Sequence, residues 1–165
     1  MNRRDYDIPE NLQLRTAEII EMGGLRCTVK LDPAKLQDLL EQGETMTETK
    51  LRLDILVGTG DLYAEGTVTC RKKLRCARCL KDMEVRFSGE FQETFSPEAE
   101  FIDIMNIVRE TAMLSQEPRY VCDESCKGLC PICGANLNEK ECGCVRKTAP
   151  SPFDVLKEKY GSNSH

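Results

Sequence analysis

The chain has 165 residues, 10 of them cysteine, one histidine and no tryptophan, with a formal net charge of −5. A chain of this length buries about 70% of its unfolded surface, so it does not need disulfides to fold. The net acidity argues against a general nucleic-acid binder, and no apolar run approaches the roughly 20 residues that span a bilayer.

The opening MNRRDYDIPENLQ is polar and lacks the apolar stretch of a secretory signal. A cytoplasmic protein is expected, and in a reducing compartment clustered cysteines favour metal over disulfides. Leu25, Cys27, Val29 and Leu31 then alternate with polar residues, the period of a half-buried strand, with Cys27 on the apolar side. In the segment LDPAKLQDLLEQG, Asp32 suits an N-cap, Pro33 the first helical position and Gly43 the end of a short helix. Its apolar face is Leu36, Leu39 and Leu40.

Two further alternations, Leu51 to Val57 and Leu62 to Cys70, flank the turn residues GTGD and predict a hairpin. A third runs from Met83 through Phe87 and Phe91 to Phe95. Between the last two lies CRKKLRCARCLK, residues 70–81, with six basic groups and no acid. The remaining 17 basic residues face 28 acids, so one short basic segment stands on an acidic body. It is expected as a connection at the sheet's rim. Arg71, Lys72, Lys73, Arg75, Arg78 and Lys81 are its candidate phosphate contacts; as a solvated loop they would do nothing. With no aromatic in the segment, base stacking is disfavoured. From Phe101 the period becomes helical through Ile104, Met105, Val108 and Ala112, and Pro118 closes the segment. The stretch 88–107 carries Glu90, Glu93, Glu98, Glu100 and Asp103 and no base, a surface that could face a basic protein.

Six cysteines follow: Cys122, Cys126, Cys130, Cys133, Cys142 and Cys144. Four thiolates satisfy a tetrahedral zinc ion, and CPICG at 130–134 has the turn that lets two converge, with Gly134 free to take positive φ. Cys130 and Cys133 are the expected first pair; either Cys142 and Cys144 or Cys122 and Cys126 can complete the site. An iron–sulfur cluster is the competing occupant. The sole histidine, His165, is the last residue of the sequence, which disfavours histidine-based catalysis and favours a closed structural zinc. Cys76 and Cys79 form an earlier C-x2-C pair. They read as half of a second metal site, as a redox dithiol whose pKa Arg75 and Arg78 lower, or as two partly buried thiols of a tight loop.

These motifs resemble the YceD-like family. The resemblance rests on Cys76-Ala77-Arg78-Cys79-Leu80, on Cys126-Lys127-Gly128-Leu129-Cys130-Pro131, on Cys133-Gly134 and Asn136-Leu137-Asn138, and on the Cys142-x-Cys144 ending. It covers about 50–150, with Ser151-Pro152-Phe153 similar to the ending of some members. It implies a role in large-subunit ribosomal RNA accumulation or processing. The partner would be that RNA, the pre-ribosomal particle or a ribosomal protein, with no small-molecule substrate and no membrane.

The expected architecture is α+β: an antiparallel sheet or barrel-like meander with two short helices, plus a small C-terminal Cys-rich, zinc-ribbon-like module. The expected divisions are a core at 1–119, a zinc module at 120–147 and a linker and tail at 148–165. The expected function is a non-catalytic ribosome-biogenesis factor. A zinc-dependent protein-interaction adaptor without RNA binding is the alternative; a thiol redox enzyme or nuclease is disfavoured, because the acids are scattered over polar faces.

Overall fold

In the computed structural model, residues 7–145 are described. The expectations for the first residues and for the tail, including His165, fall largely outside that range. The fold is α+β. Strands β2 (Leu25–Leu31), β3 (Thr45–Val57), β4 (Leu62–Arg75) and β5 (Asp82–Phe95) form one antiparallel sheet in the order β2-β3-β4-β5. It is an open meander. A second, two-stranded sheet pairs β1 (Gln13–Arg15) with β6 (Phe101–Asp103).

The inner face of the large sheet follows the period of two. Leu51, Leu53 and Ile55 on β3 lie beside Leu62, Ala64 and Val68 on β4, all fully buried or nearly so. A bulge between Met46 and Glu48 shifts the phase, which buries even-numbered Met46 as well as odd-numbered Thr49 and Leu51. Two glycines let neighbours approach. A Cβ on Gly66 would meet the Phe91 ring at 2.5 Å, and one on Gly89 would sit 1.9 Å from Ser115 Oγ.

Helix α2 (Ile104–Leu114) lies on this face through Ile104, Val108 and Ala112. The helical period read from Phe101 begins three residues late, because Phe101–Asp103 pair with β1 and the Asp103 carboxylate caps α2 by accepting from Asn106 N–H at 3.2 Å. The early helix is a 3-10 helix, Pro33–Leu39, capped by Asp32, which accepts from Ala34 N–H at 3.0 Å. It ends at Leu39 rather than at Gly43. The Arg109 guanidinium ties α2 to it, donating to Lys35 O at 2.7 Å and to Asp38 Oδ1 at 3.1 Å. A helix not expected, α1 (Thr16–Glu21), buries Thr16 and Ile19. Cys27 is half-buried against the core, and burial pushes its thiol up to about 11.

A separate buried cluster lies at the far end of the β4–β5 hairpin: Cys76, Cys79 and Cys126, with Met83, Val121 and Leu129 packed on them.

Candidate metal centres and the basic hairpin tip

Strand β4 ends at Arg75 and β5 begins at Asp82, so Cys76–Lys81 form the turn. Cys76 N–H donates to Lys81 O at 2.9 Å and Leu80 N–H to Cys76 O at 3.0 Å, with Leu80 at φ +60°. This folding brings Cys76 and Cys79 to one side. The segment after α2 crosses beneath them and is sewn to the turn: Ala77 N–H donates to Tyr120 O at 2.9 Å, and Leu129 N–H to Arg78 O at 3.1 Å. Gly128 takes φ +75°, and a Cβ there would stand 3.0 Å from Arg78 O.

The result is two groups of four cysteines, Cys76–Cys79–Cys122–Cys126 and Cys130–Cys133–Cys142–Cys144, each able to hold a metal ion. Within each group the sulfur atoms lie within 4.8 Å of one another. In the first, Cys76 Sγ is 3.9 Å from Cys126 Sγ and Cys79 Sγ is 3.6 Å from Cys122 Sγ. Four sulfurs about 2.3 Å from a central tetrahedral ion stand roughly 3.8 Å apart. The spacing therefore fits one ion. An iron–sulfur cluster places several irons and sulfides between its thiolates and spreads them further.

Sequence spacing alone left open which pair completes the site of Cys130 and Cys133. The fold brings Cys142 and Cys144 to them and takes Cys122 and Cys126 to the hairpin tip. The expected module boundary at 119/120 thus falls between the two halves of the first group.

Backbone amides point at the sulfurs. Arg78 N–H and Cys122 N–H reach Cys76 Sγ at 3.4 and 3.3 Å, and Ile132 N–H reaches Cys130 Sγ at 3.4 Å. Asn138 Nδ2 donates to Cys126 Sγ at 3.4 Å. Gly134, at φ +72°, closes the CPICG turn by donating to Cys130 O at 2.8 Å. Amide donation, led by Cys79, holds the Cys76 thiol down to about 6, and the amides of Cys133 and Ile132 do the same for Cys130. The Cys76 thiol is lowered as expected, but through backbone amides, that of Arg78 among them, and not through the guanidinium charges of Arg75 and Arg78. Neighbouring thiols move others the opposite way, Cys122 up to about 12 beside Cys126 and Cys144 up to about 12 beside Cys133. Four thiolates in one small space repel, and a divalent cation removes that conflict.

The basic segment also needs correction. Half of it, residues 70–75, is strand and not loop. Lys72 continues the inward-facing positions of β4 and is 3% exposed. Its ammonium donates to Glu44 Oε2 and Gln116 Oε1, both at 2.8 Å, and lies 4.9 Å from the Tyr120 ring centroid. Lys72 is therefore no phosphate contact. Arg71, Lys73, Arg75, Arg78 and Lys81 are exposed. The uniform charge of the sequence is diluted in space: Arg71 is 3.3 Å from Glu48, Arg75 is 3.4 Å from Asp82, and Lys73 lies across the ladder from Glu84. Arg71 faces Arg86 across the ladder, so the sheet adds one base that the segment did not contain. The ammonium groups of Lys73 and Lys81 have no ion-pair or hydrogen-bond partner among the described residues. Arg78 braces the first cysteine group, donating from Nη1 to Glu124 O at 2.9 Å and Cys126 O at 3.0 Å. No helix among the described residues is long and apolar enough to cross a membrane.

Residues 97–158 match the family model described as "Large ribosomal RNA subunit accumulation protein YceD". The chain is also 43% identical over 62 residues to the Large ribosomal RNA subunit accumulation protein YCED homolog 1, chloroplastic, of Arabidopsis thaliana. That alignment covers 38% of this chain and 19% of the relative. No solved structure matches. The family match spans the six later cysteines but stops short of Cys76–Leu80, which the fold joins to them. From 97 to 158 the chain is similar to this family, as its cysteine motifs imply.

Proposed function

We propose that the protein is a non-catalytic factor in large-subunit ribosomal RNA accumulation. It contacts phosphate through Arg71, Lys73, Arg75, Arg78 and Lys81 around the β4–β5 hairpin tip. The observation that carries the RNA contact is the pair of lysines without a partner among the described residues, Lys73 and Lys81, at a turn hydrogen-bonded to the segment at 120–129. Phosphate contacts of this kind position a protein without reading sequence. The role in ribosomal RNA accumulation comes from the YceD-like stretch and from what the relative's name says of that relative.

The C-terminal cysteine group, Cys130, Cys133, Cys142 and Cys144, holds a structural zinc on this reading. A four-cysteine set leaves no open position for water or substrate, which is why the metal is assigned no catalytic step. The exposed thiols need a reducing compartment, and the cytoplasm is our placement.

The test is K73E/K81E in the full chain, followed by crosslinking and sequencing of bound RNA from cells. These two side chains can be reversed without breaking an ion pair among the described residues, whereas reversing Arg78 would also remove its bonds to Glu124 O and Cys126 O. Enrichment of large-subunit ribosomal RNA should fall in the variant. The slope of log K against log salt should shrink by about 1.4 for two lost single-strand contacts. Unchanged enrichment and slope would refute the contact. Retention on pre-ribosomal particles with no RNA crosslinks would move the contact to a protein, with exposed Glu90, Glu93, Glu98 and Glu100 as the first surface to mutate.

A further inference from the structure

We infer that Cys76, Cys79, Cys122 and Cys126 hold a second zinc ion, separate from that of the C-terminal group, and that this ion fixes the shape of the basic hairpin tip. The coupling to RNA rests on the reading above; the metal site does not. Three of the four sulfur-bearing residues are buried: Cys76 is 0%, Cys79 6% and Cys126 5% exposed. They come from two stretches of chain about 50 residues apart, which no local turn would bring together. The ligand class follows from the donors. Four soft thiolates at single-ion spacing select zinc over hard cations such as magnesium or calcium. The amides that donate to Cys76 Sγ and the Asn138 side chain on Cys126 Sγ form the outer shell that a thiolate site requires.

The consequence lies in what the site holds. Arg78 contributes its N–H to Cys76 Sγ, its carbonyl to Leu129 N–H and its guanidinium to the carbonyls of Glu124 and Cys126. Lys81 supplies the carbonyl that Cys76 N–H bonds, and Arg75 directly precedes the first ligand. Without the ion, four crowded thiols remain where the tip meets the segment at 120–130. With it, the two stretches are tied by four metal–sulfur bonds and the spacing of Arg75, Arg78 and Lys81 is set. The first site is thus a clasp between sheet and C-terminal segment. The second closes only its own short stretch.

Metal content of the full chain, purified under reducing conditions and measured by inductively coupled plasma mass spectrometry, tests the site. Two zinc ions per chain are expected, matching the two groups of four. C76S/C79S should fall to one. If that variant fails to fold, C142S/C144S decides alone: retention of one zinc supports the clasp, and loss of all zinc overturns it. A wild type with one zinc, or with iron in place of zinc, also overturns it. Hydrogen exchange then reads the consequence. Protection of the 76–81 amides should be lost in C76S/C79S and kept in C142S/C144S; equal protection in both would refute the control of tip shape. Two zinc ions and a protected tip in a protein that crosslinks no ribosomal RNA would leave the clasp standing and end the RNA reading.

Discussion

Lys72 offers a sharp test of how the sheet is joined to the segment that follows α2. Its side chain is 4% exposed and that of Glu44 14%. Besides its two hydrogen bonds at 2.8 Å, the ammonium lies 5.9 Å from the Phe87 ring centroid as well as 4.9 Å from that of Tyr120. Lys72→Met keeps the aliphatic stem but leaves the Glu44 carboxylate and the Gln116 amide oxygen without this donor. Breaking a buried pair from one side costs about 3–5 kcal/mol. Glu44 retains some access to water, so the low end applies, about 3 kcal/mol. For a chain of this length that is a fall in Tm of about 6–12 °C. Thermal unfolding followed by circular dichroism, with zinc present in excess, is the assay. The double variant K72M/E44L removes both charges and should recover stability to within about 1 kcal/mol of wild type, since replacing a whole buried pair by apolar groups is close to neutral. A single variant that loses less than about 1 kcal/mol would refute the reasoning. So would a double variant no more stable than the single one, because the cost would then be packing and not an abandoned carboxylate.

Two other stability predictions follow from the same contacts. Gly89→Ala places a Cβ 1.9 Å from Ser115 Oγ and 2.8 Å from Thr111 Cγ2, so these side chains must turn away or the end of α2 must shift from β5. The cost should be about 1–3 kcal/mol in urea unfolding, and a neutral substitution would show that α2 is not seated there. The Arg109 guanidinium beside Asp38 holds that carboxyl below the usual aspartate range, first through their hydrogen bond. A lowered folded-state pKa contributes stability above the unfolded value of about 3.9, and that contribution is lost as pH falls through the folded value. Asp38→Asn should therefore narrow the loss of stability on acidification below about pH 4. An acid limb as steep as that of wild type would refute the linkage.

Much of the sheet was legible because its period is simple. The alternation from Leu25 to Leu31 coincides with β2, and those flanking GTGD give the β3–β4 hairpin, since one face is buried and a one-residue slip would expose it. The same rule carried further would have found Lys72. Positions 62, 64, 66, 68 and 70 face inward, so 72, 74 and 76 do too, and Lys72, Leu74 and Cys76 are all buried. Charge in the segment obscured that phase: a run of bases reads as a solvated loop although every second residue points into the protein. The short elements β1, α1 and β6 were not legible. Each has three to six residues and makes sense only through long-range pairing, as when Leu14 meets Ile102.

The cysteines show the same division between local and distant information. A C-x2-C turn announces two converging thiolates, and CPICG did so through a glycine at positive φ. Its partners, Cys142 and Cys144, lie nine or more residues on, whereas Cys126 is only four residues before Cys130, so proximity would have chosen wrongly and only the fold assigns the second group. The first group was no more legible, because its halves lie on either side of β5, β6 and α2. What brings them together is the length of the hairpin. β4 and β5 have 14 residues each, and they run past α2's footprint and carry the tip beyond the main core. Out there the apolar supply is small: Met83, Val121 and Leu129 around three buried cysteines. So few side chains remove little apolar surface from water, and ordering the segment at 120–130 costs backbone entropy at about 1–2 kcal/mol per residue. A metal ion bound by four thiolates supplies folding free energy that such a cluster lacks. The cysteines thus stand where a longer hydrophobic core would otherwise be required.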